Sequence, residues 1–503
     1  MLQTDNIIQL GNELMTKVSN DRVSSLKKDM QTGLNYYDAK HDILDYRLFY
    51  FDNEGKLKEE TNRSNTKIAH AFFTELVDQK VQYLLSNPIE VKTEQDGLQE
   101  LLDDYIDEDF QLMLQEMVEG SSQKSIEYVF WKVNADGKIE FKTADAQRII
   151  PIYDENYEVS QLIYYFDDEI VVGDTVKTVT KMQLWTTEDV YYFVTIDGKT
   201  KLDESIGLNP VKHQLRKKGD VIEGKGYGRV PFILFENNKR KTNDLKRIKD
   251  LIDDYDLMAC SLSNNLIDFD NPIFVVRGFE GDSLDTLTTN LRSRKTVGVG
   301  DEGGIDVKTV DIPVEARKTK LAIDKEAIYK FGMGFDSSQV GDGNITNVVI
   351  KSRYSLLDLK CNHTEIRLRQ VLKQMLELII ENINSLNGKN YNTTDLEISI
   401  VRDVMANEVD NANIAKIEAD TKQVLIGNIM TAAPRLDDQT VLNLLADILE
   451  VDAEEVQEAL GEQGYQGDMN LMTEVLDDRA EQVPAGNRRP AEAVGQDNGQ
   501  APV

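Results

Sequence analysis

Apolar residues follow a helical rhythm over long parts of this chain, and the longest such stretch covers residues 348–384. Neither Pro nor Gly interrupts it. At about 1.5 Å per residue it predicts a helix roughly 55 Å long, and helices of that length usually bridge parts of an assembly. Its apolar positions are Tyr354, Leu357, Cys361, Leu368, Leu372, Met375 and Ile379.

Two shorter helical patterns precede the long one and flank a segment of alternating apolar residues. The first begins at Thr242 or Asn243, either of which can cap a helix, and its apolar stripe continues to Leu266. The second covers 314–331 and is followed by a glycine-rich segment, 332–347. Between the two helices, strand residues are predicted at Phe274, Val276, Leu291, Val297, Val299, Ile305 and Val307.

The first 237 residues mix helical and strand patterns, which predicts an α+β domain. A helix is expected from a cap at Asn65 to Leu84, with Gln79 and Lys80 on its polar side. Residues 126–141 alternate around a turn that contains Gly137, which predicts a β-hairpin. Further strands are predicted at 161–166, 171–185, 190–196 and 230–235.

The last hundred or so residues change character twice. A strand predicted at 396–401 is followed by two or three helices within 407–461, with Pro434 between them. In 465–503 the periodicity is lost, and Gly, Pro, Asn, Gln and Ala accumulate. That composition predicts a disordered tail.

The composition restricts the functions that these elements can serve. A chain of 503 residues can form two or more cores, and its formal net charge of −32 argues against tight binding to nucleic acid. The charge does not exclude a surface past which DNA slides without sticking. The apolar runs are shorter than the ~18–20 residues of a membrane span, and the N-terminus lacks a secretory signal pattern. We therefore expect a cytosolic protein with no membrane partner.

No catalytic constellation is recognisable in the sequence. The phosphate-binding pattern G-x-x-x-x-G-K-[ST] is absent, so the chain is not expected to be a motor. Gly224, Gly226 and Gly228 precede a strand instead of opening a helix, which argues against a dinucleotide-binding loop. The histidines fall in unrelated elements and are interpreted as structural or surface residues: His41, His70, His213 and His363.

Acidic residues and cysteines suggest no metal or redox site either. Asp253, Asp254 and Asp256, together with Asp268 and Asp270, could be pictured in a two-metal nuclease centre. The first three interleave with basic residues, which is typical of a solvated helix face or a subunit contact. Cys260 and Cys361 have no close partner and are interpreted as buried apolar residues. The expectation is a protein with no enzyme activity, no cofactor and no metal.

The order of elements is distinctive: a helix, a small β module, a second helix, a glycine-rich loop and a very long helix. A β module of about forty residues has little core of its own, which favours partners on neighbouring subunits. Here the sequence resembles the portal proteins of tailed bacteriophages, in particular those of long-tailed phages of Gram-positive hosts. The resemblance covers most of the chain, and its most specific stretches are 65–88, 228–238 and 244–256.

The resemblance implies a structural subunit of the virion that assembles in the host cytoplasm. Portal proteins form a homo-dodecameric ring at one capsid vertex, and double-stranded DNA passes through its channel during packaging and ejection. The expected partners are other copies of the chain, the terminase large subunit, the major capsid and scaffolding proteins, and head-completion or adaptor proteins. The alternative is an oligomeric scaffold or adaptor with no role in DNA translocation.

The resemblance also implies a division of the chain into the parts of a portal subunit. The expected boundaries are 1–237 for an α+β wing, 238–272 for the first stem helix, 273–312 for the clip, 313–335 for the second stem helix, 336–347 for the tunnel loop, 348–405 for a long wing helix and wing strand, 406–464 for a helical crown and 465–503 for a disordered tail.

Three sets of candidate site residues follow from these assignments. The residues expected to line the DNA channel in the tunnel loop are Ser337, Ser338, Gln339, Val340 and Asn344. The clip candidates for terminase docking or DNA-backbone contact are Arg292, Arg294 and Lys295. A basic cluster at the head of the stem contains Lys239, Arg240, Lys241, Lys246, Arg247 and Lys249. Both basic sets could contact DNA or pair with acidic residues of an adjacent subunit.

Overall fold

The computed structural model divides the chain into two compact units, 1–405 and 406–503. The expected α+β class is confirmed for the described residues, because helices and strands are mixed along the first unit and each described strand pair is antiparallel. The described residues are 7–61, 63–172, 174–218, 221–269, 273–277, 304–308, 312–336, 347–402, 408–449, 451–453 and 456.

The first unit opens with two helices, α1 (Ile7–Arg22) and α2 (Ser25–Tyr37), followed by a hairpin of β1 (Phe49–Phe51) and β2 (Leu57–Glu59). The side chain of Ser24 caps α2 by accepting a hydrogen bond from a first-turn N–H group. Leu10, Leu14 and Val18 lie on one face of α1 and are buried. This face packs against the largest sheet of the chain.

Helix α3 (Phe72–Leu84) begins later than the sequence predicts. The expected cap at Asn65 is wrong, since no helix covers residues 64–70. The backbone N–H groups of alternate residues in this segment instead donate to side chains of a helix almost 200 positions away. A helix would direct these N–H groups to its own carbonyl oxygens, so the contact selects the extended form.

The β-hairpin predicted around Gly137 is confirmed, and it follows the helix α5. The elements here are β3 (Glu90–Thr93), α4 (Gln99–Asp103), α5 (Glu108–Lys124), β4 (Ile126–Val133) and β5 (Ile139–Ala144). Asp107 caps α5, and β4 and β5 form the hairpin expected around Gly137, which has φ +86°. Glycine adopts a positive φ without the steric cost that a side chain brings, which favours that residue in the turn.

The largest sheet has six strands, in the order β10-β9-β8-β7-β6 with β11 paired to β9: β6 (Ile149–Tyr153), β7 (Val159–Val172), β8 (Thr175–Trp185), β9 (Asp189–Ile196), β10 (Lys199–Leu202) and β11 (Val211–Lys212). The single strand predicted over 171–185 is wrong. Val172 ends β7 and lies opposite Thr175 of β8. Two residues separate them, which is the length of the commonest hairpin connection.

Three short strands lead into the helical part of the unit: β12 (Gln214–Lys218), β13 (Val221–Lys225) and β14 (Phe232–Glu236). The strand predicted at 230–235 is confirmed as β14. It pairs with β4, which gives a three-stranded sheet in the order β14-β4-β5. Phe235 is fully buried in this sheet.

The helical part agrees with the sequence pattern: α6 (Lys249–Phe269), β15 (Ile273–Arg277), β16 (Gly304–Lys308), α7 (Val314–Gly332), α8 (Asn347–Asn387) and β17 (Leu396–Ser399). Asn243 is confirmed as a cap, although it caps a single 3-10 turn, Asp244–Arg247, that precedes α6. Strands β15 and β16 pair, and β17 pairs with β3. Leu291, Val297 and Val299 lie outside the described residues.

The main core surrounds α8, whose 41 residues confirm the predicted long helix. Six of its predicted apolar positions are buried: Leu357, Cys361, Leu368, Leu372, Met375 and Ile379. They pack against buried residues of α3, α5 and β4, including Phe73, Leu114 and Val129. Both cysteines are buried, as expected.

The second unit contains α9 (Glu408–Ala432) and α10 (Asp438–Leu449), joined through a 3-10 turn, Ala433–Arg435, that includes Pro434. Ala433, Val441 and Ala446 are its buried apolar residues among those described. The predicted tail at 465–503 lies outside the described part of the chain. Across the described residues of both units, no helix combines the length and the apolar character that crossing a membrane requires.

Candidate functional site

Helix α3, helix α8 and the 3-10 turn before α6 meet at a buried group of charges, here called the ionic centre: Lys80, Asp244 and Lys360. The Lys80 ammonium lies 3.1 Å from Asp244 Oδ2 and donates to Ser122 Oγ at 2.9 Å and Asn237 Oδ1 at 2.6 Å. Lys360 lies 3.1 Å from the same carboxylate oxygen. Lys80 comes from α3, Asp244 from the turn before α6 and Lys360 from α8, so one carboxylate joins three elements.

Burial sets the electrostatics of the ionic centre. Burial itself raises the pKa of Asp244, but the ammonium groups of Lys360 and Lys80 outweigh it and hold that pKa far below its usual range. Burial is the main reason that the pKa of Lys80 is lowered, because its charge is removed from water. The side chain of Lys80 is only 1% exposed. A charge this deeply buried requires its partner, since an unpaired one is strongly destabilising.

Sequence reasoning missed the ionic centre and assigned Lys80 to the polar side of its helix. That assignment is wrong, because Lys80 lies between the buried residues Leu76 and Leu84 along the same face of α3. The signal was available: positions 76, 80 and 84 are four residues apart and therefore share one helical face. A lysine within an apolar face indicates a buried ion pair.

A second buried polar group joins α6 to the N-terminal residues. Asp256 is fully buried, so its expected place on a solvated helix face is wrong. His41 Nδ1 donates to its carboxylate at 2.6 Å, and His70 Nδ1 donates at 2.7 Å. Burial itself raises the pKa of Asp256, but hydrogen bonds from the two histidines outweigh it and lower that pKa.

Residues 64–70 lie along α6 as an extended segment, here called the strap. Four of its N–H groups donate to side chains on one stripe of α6: Ser64 to Asp268 at 3.1 Å, Thr66 to Asn264 at 2.7 Å, Ile68 to Cys260 at 3.2 Å and His70 to Asp256 at 3.1 Å. Two extended residues advance about 6.6 Å and four helical residues about 6 Å, so the two spacings match over this length.

Three of the six residues in the basic cluster predicted at the head of the stem pair with carboxylates of the same chain. Lys249 lies between Asp42 at 2.6 Å and Asp253 at 2.7 Å. Burial itself lowers the pKa of Lys249, but hydrogen bonds with these carboxylates outweigh it and raise that pKa. The cluster as a whole does not present six unpaired charges.

Two further lysines of the cluster also have carboxylate partners in this chain. Lys246 lies 3.3 Å from Asp29, and Lys241 lies 3.1 Å from Glu236. The three remaining members, Lys239, Arg240 and Arg247, are exposed. Surface pairs of this kind contribute little to stability, so the paired lysines stay available to other anions.

The other candidate residues lie outside the described residues. These are the channel candidates Ser337, Ser338, Gln339, Val340 and Asn344, and the clip candidates Arg292, Arg294 and Lys295. The described chain ends at Asp336 before the first set and resumes at Asn347 after it. Within the described residues, no group of three or more His, Cys, Asp or Glu side chains is placed to hold a metal ion.

The sequence of this chain matches a known protein family and two characterised relatives. A family model described as "Phage portal protein, SPP1 Gp6-like" matches residues 17–466. The portal protein of Bacillus phage SPP1 is 30% identical over 403 residues, which cover 79% of this chain and 78% of that protein. The portal protein of Clostridium phage phiCD119 is 26% identical over 410 residues, which cover 77% of this chain and 86% of that protein.

A match of this extent defines the class of protein, which is a phage portal protein. The chain belongs to the SPP1 Gp6-like family of phage portal proteins. The resemblance stated from the sequence is thereby confirmed, including its relation to phages of Gram-positive hosts.

Proposed function

We propose that this chain is the subunit of a homo-dodecameric portal ring at one vertex of a phage capsid. Its channel carries double-stranded DNA inward during packaging and outward during ejection. The chain has no active site of its own, and the energy for translocation comes from a separate terminase. The observation that carries the proposal is the family match over residues 17–466.

The described helices and strands support an assignment of each part of the chain to a part of the portal subunit. The α+β region before residue 238, with α8 and β17, serves as the wing, because α8 packs on α3 and α5 in one core. Helices α6 and α7 serve as the stem, and the β15–β16 pair belongs to the clip. Residues 336–347 serve as the tunnel loop, and 406–464 serve as the crown.

The partners follow from the same division. The clip is the docking site for the terminase large subunit and later for head-completion or adaptor proteins, and the wing contacts the major capsid and scaffolding proteins. A formal charge of −32 on each subunit suits a conduit, because an acidic bore offers phosphate groups few binding sites. Basic residues of the clip and stem either contact the DNA backbone or pair with acidic residues of an adjacent subunit.

Single-particle electron microscopy of the purified chain, with mass photometry to count subunits, tests the proposal. The expected result is a closed ring of about twelve subunits whose channel admits B-DNA, which is roughly 20 Å wide. A monomer, or a closed dimer with a deep cleft, would overturn the proposal. A ring too narrow for duplex DNA would favour the scaffold or adaptor function instead.

A further inference from the structure

The chain leaves α7 through a short segment, 332–336, that is here called the exit joint. Helix α7 ends at Gly332, and Met333 adopts the left-handed conformation with φ 55°. The backbone N–H of Gly334 donates to the carbonyl oxygen of Tyr329 at 2.9 Å, which closes the helix end. Asp336 is the last described residue before 347.

One side chain of α3 binds both backbone groups of Phe335 in the exit joint. The Phe335 N–H donates to Gln79 Oε1 at 2.9 Å, and Gln79 Nε2 donates to the Phe335 carbonyl oxygen at 2.7 Å. This pair of bonds is here called the Gln79 clamp. It reproduces the hydrogen bonding of a neighbouring β-strand, so it fixes both the position and the direction of the backbone.

Neighbouring residues orient the Gln79 amide. Its Nε2 also donates to Glu75 Oε1 at 3.1 Å, and the other oxygen of Glu75 accepts from the Tyr329 hydroxyl at 2.6 Å. Both hydrogens of the amide nitrogen are thereby used, one toward α3 itself and one toward the exit joint. The flipped amide orientation would lose these bonds.

Close packing holds the rest of the exit joint against the same helix. A Cβ atom on Gly334 would overlap Leu76, and one on Gly332 would lie 2.7 Å from Leu76 Cδ1. The ring of Phe335 stacks on Tyr354 of α8 with centroids 4.9 Å apart. The joint is therefore fixed by α3 and α8 together, both of which belong to the main core.

We propose that Gln79 is a positioning residue for DNA passage: it fixes the backbone at Phe335, where the chain enters the proposed channel segment 336–347. This inference rests on the proposed portal function. A directional bond to both backbone groups does more than fill space, because an apolar residue of equal size would pack there without setting the direction of the chain. Gln79 thus transfers the rigid position of α3 to the start of the channel segment.

Hydrogen exchange and DNA content, measured on the full assembled chain, test the proposal. The variants are Gln79→Leu, which removes both bonds at similar size, and Gln79→Glu, which keeps an acceptor for the Phe335 N–H but no donor. Gln82→Leu is the control, because Gln82 lies exposed on the same helix. Mass photometry of each variant checks that the ring forms.

We expect Gln79→Leu to form rings, to exchange the Phe335 amide about tenfold faster, and to give particles with less DNA. Gln79→Glu should lie between Gln79→Leu and the wild type, and it carries the test if Gln79→Leu does not assemble. Unchanged exchange at Phe335 would overturn the clamp. Faster exchange with normal DNA content would overturn the positioning role alone, whereas wild-type particles without DNA would overturn the portal function and this proposal with it.

Discussion

Replacing Asp244 by Asn removes the only carboxylate of the ionic centre while keeping the shape of the side chain. Lys80 is then left with neutral partners in a place where its side chain is 1% exposed. Breaking a buried ion pair by removing one partner costs about 3–5 kcal/mol. Lys80 keeps its bonds to Ser122 and Asn237, so we expect the low end of that range, about 3 kcal/mol.

A second substitution separates this electrostatic cost from any change in packing. Combining Asp244→Asn with Lys80→Met removes the stranded charge together with its lost partner. The two substitutions should be non-additive, and the double variant should recover about 1–2 kcal/mol relative to the sum of the single variants. Asp250→Asn is the matched control, because Asp250 is exposed at the start of α6 and should change stability by less than about 0.5 kcal/mol.

Urea unfolding followed by tryptophan fluorescence measures these differences. The chain has two tryptophans, and Trp131 lies in the main core, so Trp185→Phe leaves Trp131 as the reporter of the unit that contains the ionic centre. All variants are compared at one protein concentration, because assembly adds to apparent stability. A loss equal to that of Asp250→Asn, or strictly additive single and double variants, would refute the reasoning.

The same carboxylate gives a pH dependence whose sign follows from its pKa. The pKa of Asp244 is far lower in the folded chain than the unfolded value near 4, because Lys360 and Lys80 stabilise the carboxylate. Its contribution is therefore complete above about pH 5 and decreases as the pH falls below about 4. The stability difference between wild type and Asp244→Asn should narrow over that acidic range. A difference that stays constant down to pH 3 would contradict this assignment.

Two other predictions concern the strap and the glycines. Asn264→Leu removes the acceptor of the Thr66 N–H and should cost about 1 kcal/mol in urea unfolding, whereas Asn264→Asp keeps an acceptor and should cost less than half of that; equal costs would contradict the bond. Gly33→Ala places a Cβ against the carbonyl oxygen of Gln123 and should lower the stability of the chain by about 1–3 kcal/mol. The Cβ of Gly427→Ala meets no atom, so this helical substitution should raise stability by about 0.5–1 kcal/mol. Calorimetry of the two variants checks that the changes have opposite signs.

The sequence predicted those elements whose cause is local. The predicted apolar positions of the long helix α8 recur over about seven turns, so the pattern does not depend on any single position. The same reasoning gave α7 and the hairpin around Gly137, where the turn residue and the alternation agree. The strand predicted over 171–185 was wrong because alternation continues on both sides of a two-residue turn.

The errors at Asn65 and Asp256 have a cause that local patterns do not contain. The strap is extended because it binds α6, and the partners of its N–H groups lie 186 to 204 positions along the chain. Asp256 is buried because His41 and His70 cover it from 215 and 186 positions away. A helical pattern shows which residues share a face of α6 but not that two separate segments pack against that helix.

In the candidate site, too, local sequence patterns do not contain the contacts between residues far apart in the chain. The order of elements accompanied a resemblance to portal proteins, and the net charge was interpreted as compatible with the conduit that this resemblance implies. Neither step required knowledge of contacts between residues. The ionic centre was missed although Lys80 interrupts an apolar face, because its carboxylate partner, Asp244, lies 164 positions away. The pairing of Lys249 with Asp42 could not be predicted from the sequence either, since these residues are 207 positions apart.

The strap also restricts how the chain can change in length during evolution. Successive N–H groups of an extended segment point in opposite directions, so one residue inserted within 64–70 would turn the later donors away from α6. Two inserted residues would restore the direction but require about one further helical turn with acceptors at the same spacing. Insertions and deletions in the strap and in α6 should therefore occur together, in steps of two residues and about four.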